Sequence, residues 1–172
     1  MAMEQLIRHG RSRHYRQGEY LFHQGDQADR LCFLKAGLVK AHYDTLDGKE
    51  FIKSFVKEGG FIGSISSLTA GNPAPFSVVC LEDSETMEID APTLMALMDR
   101  DHGIATSLNT MLLGLAARKE LREYELLCLT PETRYQRFLD RYGDLVERLT
   151  QANIARYLGI TPVALSRIRK RL

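Results

Sequence analysis

The chain has 172 residues, 44% of them hydrophobic, enough for one ordinary domain with a real core and a small second one. No stretch approaches the ~20 apolar residues of a membrane span and no apolar signal region leads the N-terminus, so a cytoplasmic protein is expected. Its three cysteines (Cys32, Cys80, Cys128) are widely spaced, which excludes a disulfide framework and, with no Cys-x-x-Cys pair, argues against zinc or an iron–sulfur cluster.

The first half reads as short strands between turns. Glycines recur at positions 18, 25, 37, 48, 59, 60, 63 and 71, with β-rich runs at 20–23, 31–35, 38–44, 50–56, 76–81 and 86–89 between them. Asp47-Gly48 is a hairpin signal, because both residue types tolerate the positive φ of a tight strand connection. Strands this short and regularly spaced predict a jelly roll, which hides its edges by closing on itself.

Near residue 90 the hydrophobic period changes from two to about 3.6. Asp90 is placed to cap a helix with Pro92 in its first turn and Leu94, Leu97 and Met98 on one face. A longer helix is predicted over 104–128, where Ile104, Leu108, Met111, Leu112 and Leu115 form a seam for a partner helix. The alternative is packing against the chain's own barrel. Residues 118–125 are mixed in charge and expected to be mostly solvated. Thr130-Pro131 then interrupts. A proline disfavours helical geometry in the residue before it, so Thr130 becomes the cap of a new helix reaching about Tyr142. Residues 129–131 are the expected boundary and hinge.

Residues 150–172 read as two short helices joined by a tight turn. Thr150 caps the first, Ile154, Ala155 and Leu158 are its apolar face, and Gly159 supplies the left-handed residue that ends it. Thr161 caps the second, Pro162 opens it, and Leu165, Ile168 and Leu172 form its buried face. Ala155 is small where two helices must approach closely. The outer face of the second helix holds Val163, Ser166, Arg167 and Lys170, with Arg169 and Arg171 beside them. This stretch has five basic residues and no acidic one, although the whole chain carries a net charge of only +1. Together these features describe a helix-turn-helix whose second helix docks in the DNA major groove, cations on phosphates and one or two side chains on base edges.

An enzyme is not expected: the sequence has no Gly-x-Ser-x-Gly, phosphate-binding loop or His-Glu-x-x-His. His9, His14, His23, His42 and His102 show no metal-ligand spacing, so no metal or cofactor is assigned and most are read as surface or satisfied loop residues. The cysteines are read as inert core rather than redox switches.

Jelly roll, long helix, hinge and helix-turn-helix, in that order, resemble the Crp/Fnr family of bacterial transcription regulators. The resemblance is carried by Gly18-Glu-Tyr-Leu-Phe-His-Gln-Gly-Asp26, Phe33-Leu-Lys-Ala-Gly-Leu-Val39, Gly59-Gly-Phe-Ile-Gly63 and the closing Ile154-Ala-Arg-Tyr-Leu-Gly-Ile-Thr-Pro-Val-Ala-Leu-Ser-Arg-Ile168. It covers nearly the whole chain, which is similar to a compact branch ending with the recognition helix. It implies an α+β fold: a jelly roll of the double-stranded β-helix, cyclic-nucleotide-binding-like type over 1–100, a dimerisation helix over 101–128, and a DNA-binding domain over 129–172. It further implies a homodimer, a palindromic operator in double-stranded DNA, RNA polymerase as a partner, and a barrel that senses a small-molecule effector.

The sequence departs from the family at the effector pocket. In nucleotide-binding members a Glu after Phe-x-Gly bonds the ribose hydroxyl, and an Arg followed by Ser or Thr neutralises the cyclic phosphate. Phe61, Ile62 and Gly63 are kept here, but Ser64 replaces the Glu, Ala74 and Pro75 replace the Arg and Ser, and no Arg or Lys occurs between residues 59 and 81. Losing the charge partner of a buried anion costs on the order of 3–5 kcal/mol, so weak or absent cyclic AMP binding is expected. The pocket is then either partly degenerate or holds another ligand through Ser64, Ser66, Ser67 and the amides around Gly63.

The resemblance also distributes the DNA contacts. Arg167 falls where family members contact guanine, for which a bidentate bond to O6 and N7 is natural, and Ser166 sits beside it. Many relatives have a Glu at the position of Val163; Val offers only apolar contact, for instance to a thymine methyl, so an altered half-site is expected. Arg169, Lys170 and Arg171 are assigned to phosphates, with Thr161 helping at the helix N-terminus. The rival reading is a sensing or protein-interaction module whose helix-turn-helix no longer binds DNA.

Overall fold

A computed structural model describes residues 2–171. The chain divides between Met111 and Leu112 into two compact units.

The first unit starts with α1 (Ala2–Arg8), followed by β1 (Arg11–Tyr15), β2 (Tyr20–Phe22), β3 (Arg30–Ala36), β4 (Leu38–Asp44), β5 (Glu50–Lys57) and β6 (Phe61–Ile62). Then come α2 (Ile65–Ala70), β7 (Ser77–Cys80), β8 (Ser84–Asp90), α3 (Ala91–Arg100) and the first turns of α4 (His102–Cys128). The strands form two four-stranded antiparallel sheets, β1-β8-β3-β6 and β2-β7-β4-β5. All six expected strand runs are strands, with ends moved by no more than two residues. The sequence reading missed β1, whose residues Arg-Ser-Arg-His-Tyr show no apolar alternation. Pairing to β8, from Arg11 opposite Glu88 to Tyr15 opposite Ser84, holds it.

Between the sheets, Cys32 and Leu34 meet Val39, Ala41, Val78 and Cys80, and Phe22 stands edge-on to Phe76 at 5.4 Å. On the other side of β3 and β8, Leu31 and Ile89 lie under Leu6, Leu94, Ile104 and Leu108. Strand β3 therefore alternates between two cores rather than between core and solvent, which is why its sequence is apolar almost throughout. Gly37 joins β3 to β4 at φ +97°, where a Cβ would stand 2.7 Å from the Asp83 carbonyl oxygen, so only glycine fits. In the β4–β5 turn the Thr45 hydroxyl accepts from the Lys49 N–H at 3.0 Å, and Gly48 takes φ +77°.

The second unit contains the rest of α4, α5 (Pro131–Tyr142), a 3₁₀ turn (Gly143–Arg148), α6 (Gln151–Leu158) and α7 (Pro162–Arg169). Its core sets Phe138 against Tyr157 in a tilted ring contact (centroids 5.5 Å apart), with Leu145, Ile154, Leu158, Leu165 and Ile168 also buried. Part of the solvated reading of residues 118–125 is corrected here: Arg122 and Glu125 are drawn inward. The Arg122 guanidinium lies over the Tyr157 ring at 3.9 Å and donates to the Tyr157 carbonyl, while Glu125 accepts from Arg141 at 2.9 Å. Arg134 donates to the Leu158 carbonyl at 3.1 Å and to the Leu129 carbonyl at 2.8 Å. Side chains thus span residues 129–131, tying the end of α4 to α5 and α6. A pattern of alternating charges reads as solvated unless the buried aromatic that captures the Arg is known.

Candidate nucleic-acid interface and effector pocket

Helices α6 and α7 are built from local signals. Thr150 accepts from the Asn153 N–H at 3.1 Å, Gly159 ends α6 at φ +70°, and Thr161 accepts from the Ala164 N–H at 3.2 Å to start α7. Ala155, Leu158 and Leu165 are fully buried, so the two helices meet at a small side chain. This leaves one face of α7 outward. Val163 is 61% exposed, Arg167 and Lys170 are exposed, and Ser166 is half-buried beside them; helical spacing sets these four residues on one face. Arg169 and Arg171 are exposed on its flanks, Arg171 with its guanidinium 3.9 Å from Glu132. Thr161 is exposed at the N-terminus of α7. Leu172 lies outside the described residues.

The candidate effector residues are engaged by the protein's own packing and hydrogen bonds. Ile62 and Ala74 are buried in the inter-sheet core, and Phe61 packs on Phe33 at 5.0 Å. A Cβ on Gly63 would lie 3.0 Å from the Arg30 carbonyl oxygen, so this glycine serves a close backbone approach. Ser64 is fully buried; its hydroxyl caps α2 by accepting from the Ser67 N–H at 3.4 Å and pairs with Ser66 at 3.1 Å. The Ser67 hydroxyl donates to the Asn72 carbonyl at 2.7 Å. The Ala74 N–H donates to the Asp26 carbonyl and its own carbonyl accepts from Gly25, each at 2.8 Å, while Pro75 is exposed. The hydroxyls that the sequence offers to a ligand are therefore bonded within the segment. A cleft of about 150 Å³ is lined by Arg13, Phe22, Ala28, Arg30, Cys32 and Glu88 among others. Arg13 and Arg30 there already face Glu88, at 3.8 and 3.2 Å.

The expected seam on α4 is split. Ile104 and Leu108 are buried in the first unit's own core with Met111 packed against it, whereas Leu112 is exposed and Leu115 half-buried. The sequence reading missed an exposed apolar row further along: Leu113, Leu121, Tyr124 and Leu127, of which Leu113 is 72% exposed. Its spacing was legible, but the interleaved charges disguised it.

The cyclic nucleotide-binding domain family matches residues 12–101. The chain belongs to that family. The structure of FixK2 from Bradyrhizobium japonicum superposes with a TM-score of 0.84 at 20% identity, covering 95% of this chain and 84% of that one. A regulatory protein from Silicibacter pomeroyi is 29% identical, with a TM-score of 0.66, covering 98% of this chain and 78% of that one. The cyclic AMP receptor protein of Thermus thermophilus is 30% identical over 112 residues, 65% of this chain and 49% of that protein, so the match spans about half the relative's length. Cyclic-nucleotide-binding barrel, long helix and C-terminal helices follow one another here as in Crp/Fnr regulators. Among the described residues no helix is long and apolar enough to cross a membrane.

Proposed function

We propose that this Crp/Fnr-type chain is a homodimeric, sequence-specific DNA-binding transcription regulator rather than an enzyme. The observation that carries the reading is the outward face of α7: Val163, Ser166, Arg167 and Lys170 exposed or half-buried beside Arg169 and Arg171, on a helix fixed by caps and a close crossing. Arg167 reads guanine, Val163 meets a thymine methyl, Ser166 supports the base contact, and Arg169, Lys170, Arg171 and Thr161 hold phosphates. The dimer forms along α4. Its exposed row from Leu112 and Leu113 to Leu127 supports a seam nearer the C-terminal half than Ile104 and Leu108 alone would give.

Cyclic AMP is not the favoured effector, since the Ser64 hydroxyl is committed to α2, Ala74 is bonded to Gly25 and Asp26, and residues 59–81 supply no Arg or Lys for a phosphate. Signal transmission is a population shift between arrangements of the two DNA-binding units. The side chains across residues 129–131 tie these units to the end of α4, which moves the proposed pivot into α4, near the division between Met111 and Leu112.

The test is a binding titration on duplex DNA at 50 and 200 mM salt with the native chain and Arg167→Ala. Affinity of the native chain is expected to fall steeply with salt as phosphate contacts release counterions. Arg167→Ala should cost about 1–3 kcal/mol and relax preference at one base pair per half-site. Salt-independent binding, or an unchanged base preference in the variant, would sink the assignment and leave the interaction-module reading.

A further inference from the structure

We propose that the β4–β5 hairpin carries a site for a divalent transition-metal cation, held by His42, Asp44 and Glu50. The ladder itself assembles the three residues. His42 and Asp44 are two apart on β4 and share a face, and Asp44 stands directly opposite Glu50 on β5. A register shift between Ala41 and His42, where β5 carries the extra residue Lys53, sets Glu50 rather than Phe51 opposite Asp44. His42 Nδ1 lies 3.2 Å from Asp44 Oδ1 and 3.7 Å from Glu50 Oε2, and the three ligand atoms all fall within 4.8 Å of one another. Ligands bonded to one ion at 2.0–2.1 Å stand roughly 3–3.5 Å apart, so the triangle needs only small movements to close on a cation.

A second observation concerns His42 itself. It is 2% exposed, and its Nε2 is buried without a hydrogen-bond partner, so the ring's polar interactions converge on the Nδ1 side. Two carboxylate oxygens meet there, and a single Nδ1–H serves only one of them. Lys40 takes the other Glu50 oxygen at 2.7 Å. With a neutral imidazole, Asp44, Glu50 and Lys40 together carry one net negative charge. A dication between Nδ1, Oδ1 and Oε2 satisfies all three at once. Asp44 is half exposed, which gives the ion a path from solvent and room for water ligands. One nitrogen and two oxygen donors without thiolate suit the Mn²⁺-to-Zn²⁺ series rather than Cu⁺, and Zn²⁺ outranks Mn²⁺ at such a site. The sequence hides the site because its ligands come from two strands. Only the pairing of Asp44 with Glu50, set by the five-residue turn after Asp44, brings them together.

The test uses the full chain, stripped with a chelator, and needs neither DNA nor nucleotide. Zn²⁺ is titrated by calorimetry, and Co²⁺ by visible absorption. One Zn²⁺ per chain and Co²⁺ ligand-field bands are expected. Affinity should fall by at least about tenfold in His42→Gln, Asp44→Asn and Glu50→Gln, and stay unchanged in His14→Gln. Because His42 is buried, its variant could lose the fold; half-exposed Asp44 keeps the test valid, with thermal melting as the check on folding. No stoichiometric Zn²⁺, or native affinity in folded Asp44→Asn, would overturn the site.

Discussion

Tyr15 ends β1 with its hydroxyl donating to Glu88 at 2.6 Å, and Glu88 also accepts from Thr86 and Arg30. Partial burial first, and this bond second, push the phenol up to about 12. The unfolded chain releases the same proton near pH 10. Stability from this group is therefore fully present below about pH 10 and is lost as pH rises through about 12, and Tyr43, raised by burial, adds with the same sign. Tyr15→Phe should flatten the decline in unfolding free energy between pH 10 and 12, measured by urea titration; an unchanged slope would contradict the role of this hydroxyl. Burial likewise pushes the Cys32 and Cys80 thiols up, which disfavours their thiolates and suits the inert-core reading. Cys128 departs from the expected burial and is exposed. Single-residue features were legible where they are local. Asp90, Thr130, Thr150 and Thr161 each accept from the N–H three residues on, as their sequence contexts indicate. The Tyr15–Glu88 bond joins residues 73 apart and had no local signal.

At the scale of elements, α4 is the least uniform. Its first turns give Ile104 and Leu108 to the barrel's helix-covered core, while its last turns give Arg122 and Glu125 to the second unit. Between these stretches lies Gly114, a weak helix former. Glu125 is 2% exposed and faces two arginines, so Glu125→Ala leaves Arg141 and Arg122 without their carboxylate. We predict a loss of about 3 kcal/mol in the stability of the second unit, followed by denaturant unfolding with a probe in α5. A change below about 1 kcal/mol, the value of a surface pair, would show that the cluster is solvated after all. Strands between glycines and helices with caps could be read from sequence because each signal sits inside its own element. Strands β1 and β6 and the inward turn of Arg122 depend on partners far along the chain, and reading them requires the fold first.

The whole molecule joins a cyclic-nucleotide-binding-type barrel, whose residues 59–81 carry no Arg or Lys, to C-terminal helices, the last of which presents Arg167, Arg169 and Lys170 outward. The barrel-then-helices architecture was legible in the sequence, and Ser64, Ala74 and Pro75 carry the expectation of an altered pocket. What was not visible was how fully Ser64 and Ser67 are used internally, because that depends on the short helix α2 that they cap and close. The measurement that tests the account most directly is a selection from random duplex oligonucleotides with the native chain, run without ligand and with a panel of cyclic nucleotides. The account predicts one palindromic site, enriched without ligand and unchanged by cyclic AMP. Enrichment only with a nucleotide would overturn the reading of Ser64, Ala74 and Pro75, a single unpaired half-site would contradict the dimer, and no enriched site in any arm would contradict sequence-specific DNA binding itself.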